Sequence, residues 1–305
     1  MLGLHGTSPP SPSIHDIANF ARSSSTAAIL SYCYIGYRLR IRTAGFFSSC
    51  AVLLGILRSC DAVISGSFAL HMVLPANSCA WTPSDIDIYV PLRQMCYLSM
   101  KLECEGYNII HERRVEASPY NMTAIRSILT FSNGTHHIDV IVSRTSTAIS
   151  PLFQFHSTAV MNFISTDSIF CTYPNLTFHR RALINSLPVY NGSIGFKTMA
   201  ALQKYASRGF NFGTCEDIHH MPYTCRSIPR TLTDGGCLWL QITDLRHDVV
   251  RTTEVFKCLG VINVMWLLGG YVCGAYPAFL DGYSFVFENE MDRLSDRHFI
   301  GSEEV

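Results

Sequence analysis

An excess of charge of either sign is what this 305-residue chain lacks: 23 Lys and Arg balance 23 Asp and Glu, for a formal net charge of zero. That excludes the broad basic field that gathers long nucleic acids non-specifically and leaves two local basic clusters, Arg38, Arg40 and Arg42, and His179, Arg180 and Arg181. A Cys-x-x-Cys pair is also absent among the 12 cysteines. Their scatter along a long chain argues against a disulfide framework, so reduced thiols in an intracellular, reducing compartment are expected. Cys215, His219, His220 and Cys225 come nearest to a metal cluster, but their spacing matches no zinc module. Residues 1–25 lack the basic-then-apolar pattern of a signal peptide and, with Pro9, Pro10 and Pro12 among serines, read as a flexible lead-in. Without secretion, the Asn-x-Ser/Thr sequons at Asn121, Asn133, Asn175 and Asn191 carry no role.

An unbroken apolar span is missing too. Residues 258–280 carry no formal charge, but Asn263, Gly269-Gly270, Gly274 and Pro277 divide the run into pieces that read as buried strand or helix around turns. A soluble protein with no membrane partner is expected. No internal repeat is apparent.

What is present is a sequence of short elements. Residues 27–58 carry enough Ala, Leu and Ile, without proline, for one or two helices. Residues 62–65 read as a buried strand, Gly66 as a turn, and Ser67 as the N-cap of a helix to about residue 74, which Pro75 ends. In residues 85–90, Ile86, Ile88 and Val90 alternate with Asp85, Asp87 and Tyr89. With a period of two, the aliphatic residues face a core and both aspartates share the other face. Pro91 then opens a helix to about residue 105, closed by Gly106. Residues 125–132 and 136–143 flank Asn133-Gly134, a pair suited to a type I′ hairpin turn. Asp139 stands opposite the stripe of Ile138, Val140 and Val142. Neighbouring strands lie about 4.8 Å apart, so an arm beside the Asp85 strand lets all three carboxylates reach one metal cluster. Residues 151–164 and 196–208 read as helices, the latter closed by Gly209, and 237–242 and 283–287 as strands.

Together Gly66-Ser67, Asp85-x-Asp87 and Asp139 resemble the signature of the nucleotidyltransferase superfamily related to DNA polymerase β, including its minimal and CCA-adding members. Residues 156–162 are similar to a helix of the CCA-adding enzymes, and Lys197, Lys204-Tyr205 and Arg208-Gly209 to the lysine-bearing helix of minimal members. The resemblance covers residues 61–210; it departs from the family in the longer Gly-Ser to Asp spacing, which a loop insertion at residues 75–84 accounts for.

The resemblance implies an α+β fold: a mixed β-sheet flanked by helices over residues 26–215, followed by a C-terminal α/β extension, 216–305, to which no motif assigns a role. It implies an enzyme that binds a nucleoside triphosphate and two Mg²⁺ (or Mn²⁺) ions and transfers a nucleoside monophosphate to an acceptor hydroxyl on an RNA end, a protein or a small molecule. Asp85, Asp87 and Asp139 would hold the ions. Gly66 would let the backbone approach the phosphates, Ser67 would donate to them, and Lys197, Lys204 or Arg208 would add charge at the leaving pyrophosphate. Two alternatives compete: a glycosyltransferase holding Mn²⁺ and a nucleotide-sugar on Asp85-x-Asp87, and a non-catalytic binding module of the same fold. His156 reads as a satisfied structural histidine, and Trp239 and Trp266 as core.

Overall fold

The computed structural model describes residues 11–115, 123–185, 196–213, 229–242, 259–268 and 285–290. They form an α+β arrangement around a mixed eight-stranded sheet of order β11-β7-β6-β1-β2-β5-β4-β3. Three helices lead in: α1 (Ile14–Ala21), α2 (Ser25–Thr43) and α3 (Cys50–Ser59). β1 (Val63–Ser65) runs directly into α4 (Gly66–Val73), and β2 (Asp85–Pro91) is followed by α5 (Met95–Cys104). The edge strand β3 (Asn108–Arg114) precedes the hairpin of β4 (Ile125–Ser132) and β5 (His137–Ser143). Next come β6 (Asn162–Ile164), β7 (Ser168–Cys171), α6 (Pro174–Phe178) and β8 (Arg181–Leu183). The chain continues through α7 (Phe196–Ser207), β9 (Asn211–Gly213), β10 (Arg230–Thr231), β11 (Leu238–Gln241), β12 (Val261–Leu267) and β13 (Phe285–Glu290).

The alternation read in β2 and β5 sorts the side chains between two cores. Ile86, Ile88, Val90, Ile138, Val140 and Val142 pack with α1, α2, α3 and α5 on one face of the sheet. On the other, Tyr89 and Ile141 join Val63, Phe163, Phe170 and Trp266. Trp266 is fully buried and stacks on Phe153 at 4.3 Å, the core role expected of it. β2 pairs parallel with β5 and antiparallel with β1, which makes the sheet mixed.

Several expectations are corrected. Residues 14–21 are helix, not flexible lead-in: a capping box between Ser13 and Asp16 closes the first turn, and Ile14, Ile17 and Ala18 are buried in the main core. Pro91 ends β2, where parallel pairing carries on to Ser143, and a 3-10 turn at Leu92–Gln94 precedes α5. The β4–β5 loop has four residues, since Ser132 pairs with His137. Only Gly134 there has positive φ, so the turn is not type I′; the Asn133 carboxamide oxygen instead accepts from the amides of Thr135 and His136.

Residues 151–164 are not a helix but two 3-10 turns, Ser150–Gln154 and Thr158–Val160, leading into β6. This run is buried on nearly every side chain, polar ones included, so it has no solvated face to present at helical period. The likeness of residues 156–162 to a CCA-enzyme helix therefore has no helical counterpart. One strand from beyond residue 216, β11, pairs with β7 and so belongs to the central sheet. Within residues 258–280 the described part is strand β12, and among the described residues no helix is long and apolar enough to cross a membrane. Cys215, His219, His220 and Cys225 lie outside the described residues, as does the segment Tyr271–Cys273. The eight cysteines that are described are free thiols.

Truncating Ile14 or Ile17 to Ala is expected to cost about 2–5 kcal/mol, as for other buried large-to-small changes. Urea denaturation checks this: an unchanged midpoint would mean that α1 is a dispensable appendage.

Candidate functional site

The site begins at the junction of β1 and α4. Gly66, the first residue of α4, has φ +64°, a left-handed value that swings the chain from strand to helix within one residue. A methyl group there would run into the Asp87 carboxylate, whose Cγ lies 2.9 Å from the position it would occupy. The N-cap is Ser65 rather than Ser67, and the Ser65 hydroxyl is engaged across the sheet, donating to the Asn162 carbonyl at 2.6 Å. Ser67, the second residue of the helix, is buried, and its hydroxyl has no hydrogen-bond partner. An unpaired buried hydroxyl costs about 1–3 kcal/mol.

Across from this turn the parallel register sets Asp87 beside Asp139 and Asp85 beside His137. The three aspartates thus share one sheet face, Asp87 and Asp139 at the same level and Asp85 two residues earlier along β2. Burial, then the charges of Asp85 and Asp139, push the Asp87 carboxyl up to about 7, while Lys204 pulls it down. Thr130, opposite Asp139 in the hairpin, donates its hydroxyl to Asp139 Oδ1 at 2.7 Å.

The side chains do not themselves converge. Among the described residues no three His, Cys, Asp or Glu groups are placed to hold a metal ion. The Asp87 carboxylate lies against Gly66 and that of Asp139 is engaged by Thr130. The donor set nevertheless suits a hard cation in kind, three carboxylates beside a hydroxyl, and carboxylate torsions are soft.

α7 supplies the far wall. Tyr205 is buried and stacks on His156 at 5.7 Å, and the fields of Asp87 and Asp85 reach it. Lys204 is exposed beside it, 5.9 Å from the Tyr205 ring, near enough to act on both Asp87 and His156. Arg208 is drawn past the carboxylates to Trp81, lying 3.9 Å over its ring. Lys197 sits on the exposed first turn of α7 and is not brought to the aspartates by any contact.

Sequence reasoning missed Thr130, whose cross-strand place depends on the hairpin register, and His71. The latter is one turn beyond Ser67 on α4, fully buried, with both ring nitrogens unpaired, and 5.1 Å edge-on to Trp81. His156, expected to be a satisfied structural histidine, has an unpaired Nε2.

No protein-family model matches this chain, and neither the curated proteins nor the solved structures contain a match to it. The geometry therefore carries the functional argument alone.

Gly66→Ala combines a disfavoured left-handed φ with overpacking against Asp87, for an expected loss of about 2–5 kcal/mol by chemical denaturation. His71 is held down to about 4 by burial, then by the Arg42, Arg38 and Arg208 guanidiniums, against a weaker upward pull from the Trp81 backbone. Its folded state thus refuses a proton that the unfolded chain accepts near 6.5, so stability present above that pH is lost as pH falls toward 4. The loss amounts to roughly 3 kcal/mol, and urea titrations of His71→Gln across that window, in phosphate-free buffer, should show a correspondingly flatter acid limb.

Proposed function

We propose that this chain is a metal-dependent nucleotidyltransferase that moves a nucleoside monophosphate from a nucleoside triphosphate to an acceptor hydroxyl. The observation that carries the reading is the pairing of Asp87 with Asp139 across parallel strands, with Asp85 two residues away on the same face, directly under the Gly66 turn. Burial first, and then the charges of Asp85 and Asp139, raise the Asp87 carboxyl, and divalent cations are the natural counter-charge.

Asp85, Asp87 and Asp139 are the residues that would hold Mg²⁺ or Mn²⁺. Two such ions neutralise triphosphate charge and align an acceptor oxygen for in-line displacement. Gly66 keeps the turn free of a side chain, and Ser67 offers its unpaired hydroxyl and the start of α4 to phosphate oxygens. Lys204 contributes positive charge at the same place. In the transfer, the acceptor oxygen bonds to the α-phosphorus, the bond from that phosphorus to the α,β-bridging oxygen breaks, and pyrophosphate departs with the electron pair. Asp139 takes the acceptor proton through the oxygen that Thr130 leaves free. Turning about the soft carboxyl torsions of Asp87 and Asp139 would be needed for the three groups to hold the ions together.

A nucleotide-sugar glycosyltransferase would leave the Gly66 approach and Asp139 without a task. The non-catalytic reading draws support from the unconverged side chains. Incubation with each α-labelled triphosphate, Mg²⁺ and candidate acceptors separates the readings: label transfer with pyrophosphate release is expected, and Asp85→Ala/Asp87→Ala should abolish it. Equal transfer by the double variant, or no detectable Mg-triphosphate binding by calorimetry, overturns the proposal. Thr130→Val, which removes the hydrogen bond behind a metal ligand, is expected to lower activity or metal affinity about 10–100-fold, measured by steady-state rates over a Mg²⁺ titration.

A further inference from the structure

Beyond Ser67, toward the C-terminal end of α4, polar groups without partners accumulate in one place. Arg38 reaches in from α2, is 6% exposed, and donates through Nη2 to the carbonyls of His71 and Leu74 at 3.2 and 3.0 Å. Those carbonyls close α4, so the helix dipole offsets part of the charge. Its other terminal nitrogen, Nη1, has no partner. Neither do the two ring nitrogens of His71, Nε1 of Trp81 or Nη1 of Arg208. These groups are contiguous: His71 meets Trp81 edge-on, Arg208 lies over the Trp81 ring, and Arg38, Arg42 and Arg208 all act on His71 electrostatically.

The cluster is also one-sided in charge. Four ion pairs are formed among the described residues, Arg58–Asp167, Arg93–Asp61, Arg114–Glu112 and Arg230–Asp234, and none includes Arg38, Arg42 or Arg208. The groups acting on Arg38 are Tyr34, Arg42 and Cys79, with no carboxylate among them. Burying a guanidinium without a counter-charge costs several kcal/mol, which a core can avoid with an apolar side chain of similar volume. Retention of a buried Arg38 beside His71, with Arg208 and His71 against one tryptophan, is therefore a chemical statement about what enters.

We propose that Arg38, His71, Trp81 and Arg208 line a binding site for a phosphate-class oxyanion. Phosphate offers several acceptor oxygens in a compact tetrahedron, and the cluster offers guanidinium N–H groups, an indole N–H and one imidazole N–H, with no carboxylate opposed to them and the second imidazole nitrogen left to accept from a protonated phosphate oxygen. Neutral imidazole supplies its N–H without adding to the positive charge already present. Ser67 and His71 are four residues apart on α4 and so share a face, about 6 Å along the axis. An oxyanion held here lies within one helical turn of the Ser67 hydroxyl. The site stands on these orphaned donors alone and does not require the aspartates to bind metal. The same chemistry belongs to free phosphate and to the tail of a nucleotide, and the test distinguishes them.

Thermal unfolding and calorimetry are run in EDTA with inorganic phosphate, pyrophosphate or ATP, each against chloride at matched ionic strength. Wild type and Asp87→Asn are both expected to bind phosphate and to be stabilised by it, because the aspartates take no part. Arg208→Gln, at a half-buried position, should weaken binding about 10–100-fold, the effect of removing a charged hydrogen bond. His71→Gln provides a second variant should Arg208→Gln fold poorly, and ³¹P line broadening reads phosphate binding without reference to stability. Tighter binding of ATP or pyrophosphate than of phosphate places a nucleotide tail here; equal binding identifies a site for free phosphate. Stabilisation no greater than chloride gives, or binding unchanged in both Arg208→Gln and His71→Gln, overturns the proposal. Loss of label transfer in Asp87→Asn with phosphate binding intact would leave this site standing whatever the fate of the nucleotidyltransferase reading.

Discussion

Between the first turn of α4 and the middle of β2 there is no room for a methyl group, and the rest of the site is arranged around that closeness. Gly66 alone among the residues there can take the left-handed φ that lets β1 turn into α4. It also leaves the Asp87 carboxylate lying against the turn. Parallel pairing of β2 with β5 then fixes Asp139 beside Asp87. Two backbone features, a turn and a register, thereby bring together a helix start and three acids that are separated by up to 73 positions in the chain.

Charge is segregated along α4. At its start lie the aspartates, with one carboxyl pushed up toward neutrality; near its end lie three guanidiniums and a histidine driven down to about 4. Burial shifts each group first and neighbouring like charge adds to it, and a ligand of opposite charge relieves the second contribution. Cations suit one end of the helix and an oxyanion the other, with the Ser67 hydroxyl between them. This polarity links two proposals that rest on different residues.

Much of the site was legible because strand alternation needs only local sequence. The β2 and β5 patterns placed each aspartate opposite an aliphatic stripe, and Gly66 stood where a turn was required. The C-terminal glycine of α7 was equally readable. Less was legible where the local signal was ambiguous. Residues 151–164 mix apolar residues with Gln154, His156, Ser157, Thr158 and Asn162, and burial of polar and apolar positions alike left no period to separate helix from buried turn and strand. Residues 14–21 looked unstructured because two buried isoleucines and a capping box were outweighed by the prolines before them. Lys197 and Arg208 share a helix and looked equivalent, yet one is exposed on its first turn and the other stacks on Trp81.

The sequence by itself determined which residues lie on which face of their own strands, since the pleat has period two whatever the neighbours, and where glycine had to stand. Tertiary structure alone decided which strands are neighbours, that Thr130 backs Asp139, and that Arg38, His71, Trp81 and Arg208 meet. Those meetings join segments up to 170 residues apart, and nothing in the local pattern of one segment encodes the charge or position of the other. Unpaired donors, like crowded acids, become visible only when packing has removed the water that would otherwise satisfy them.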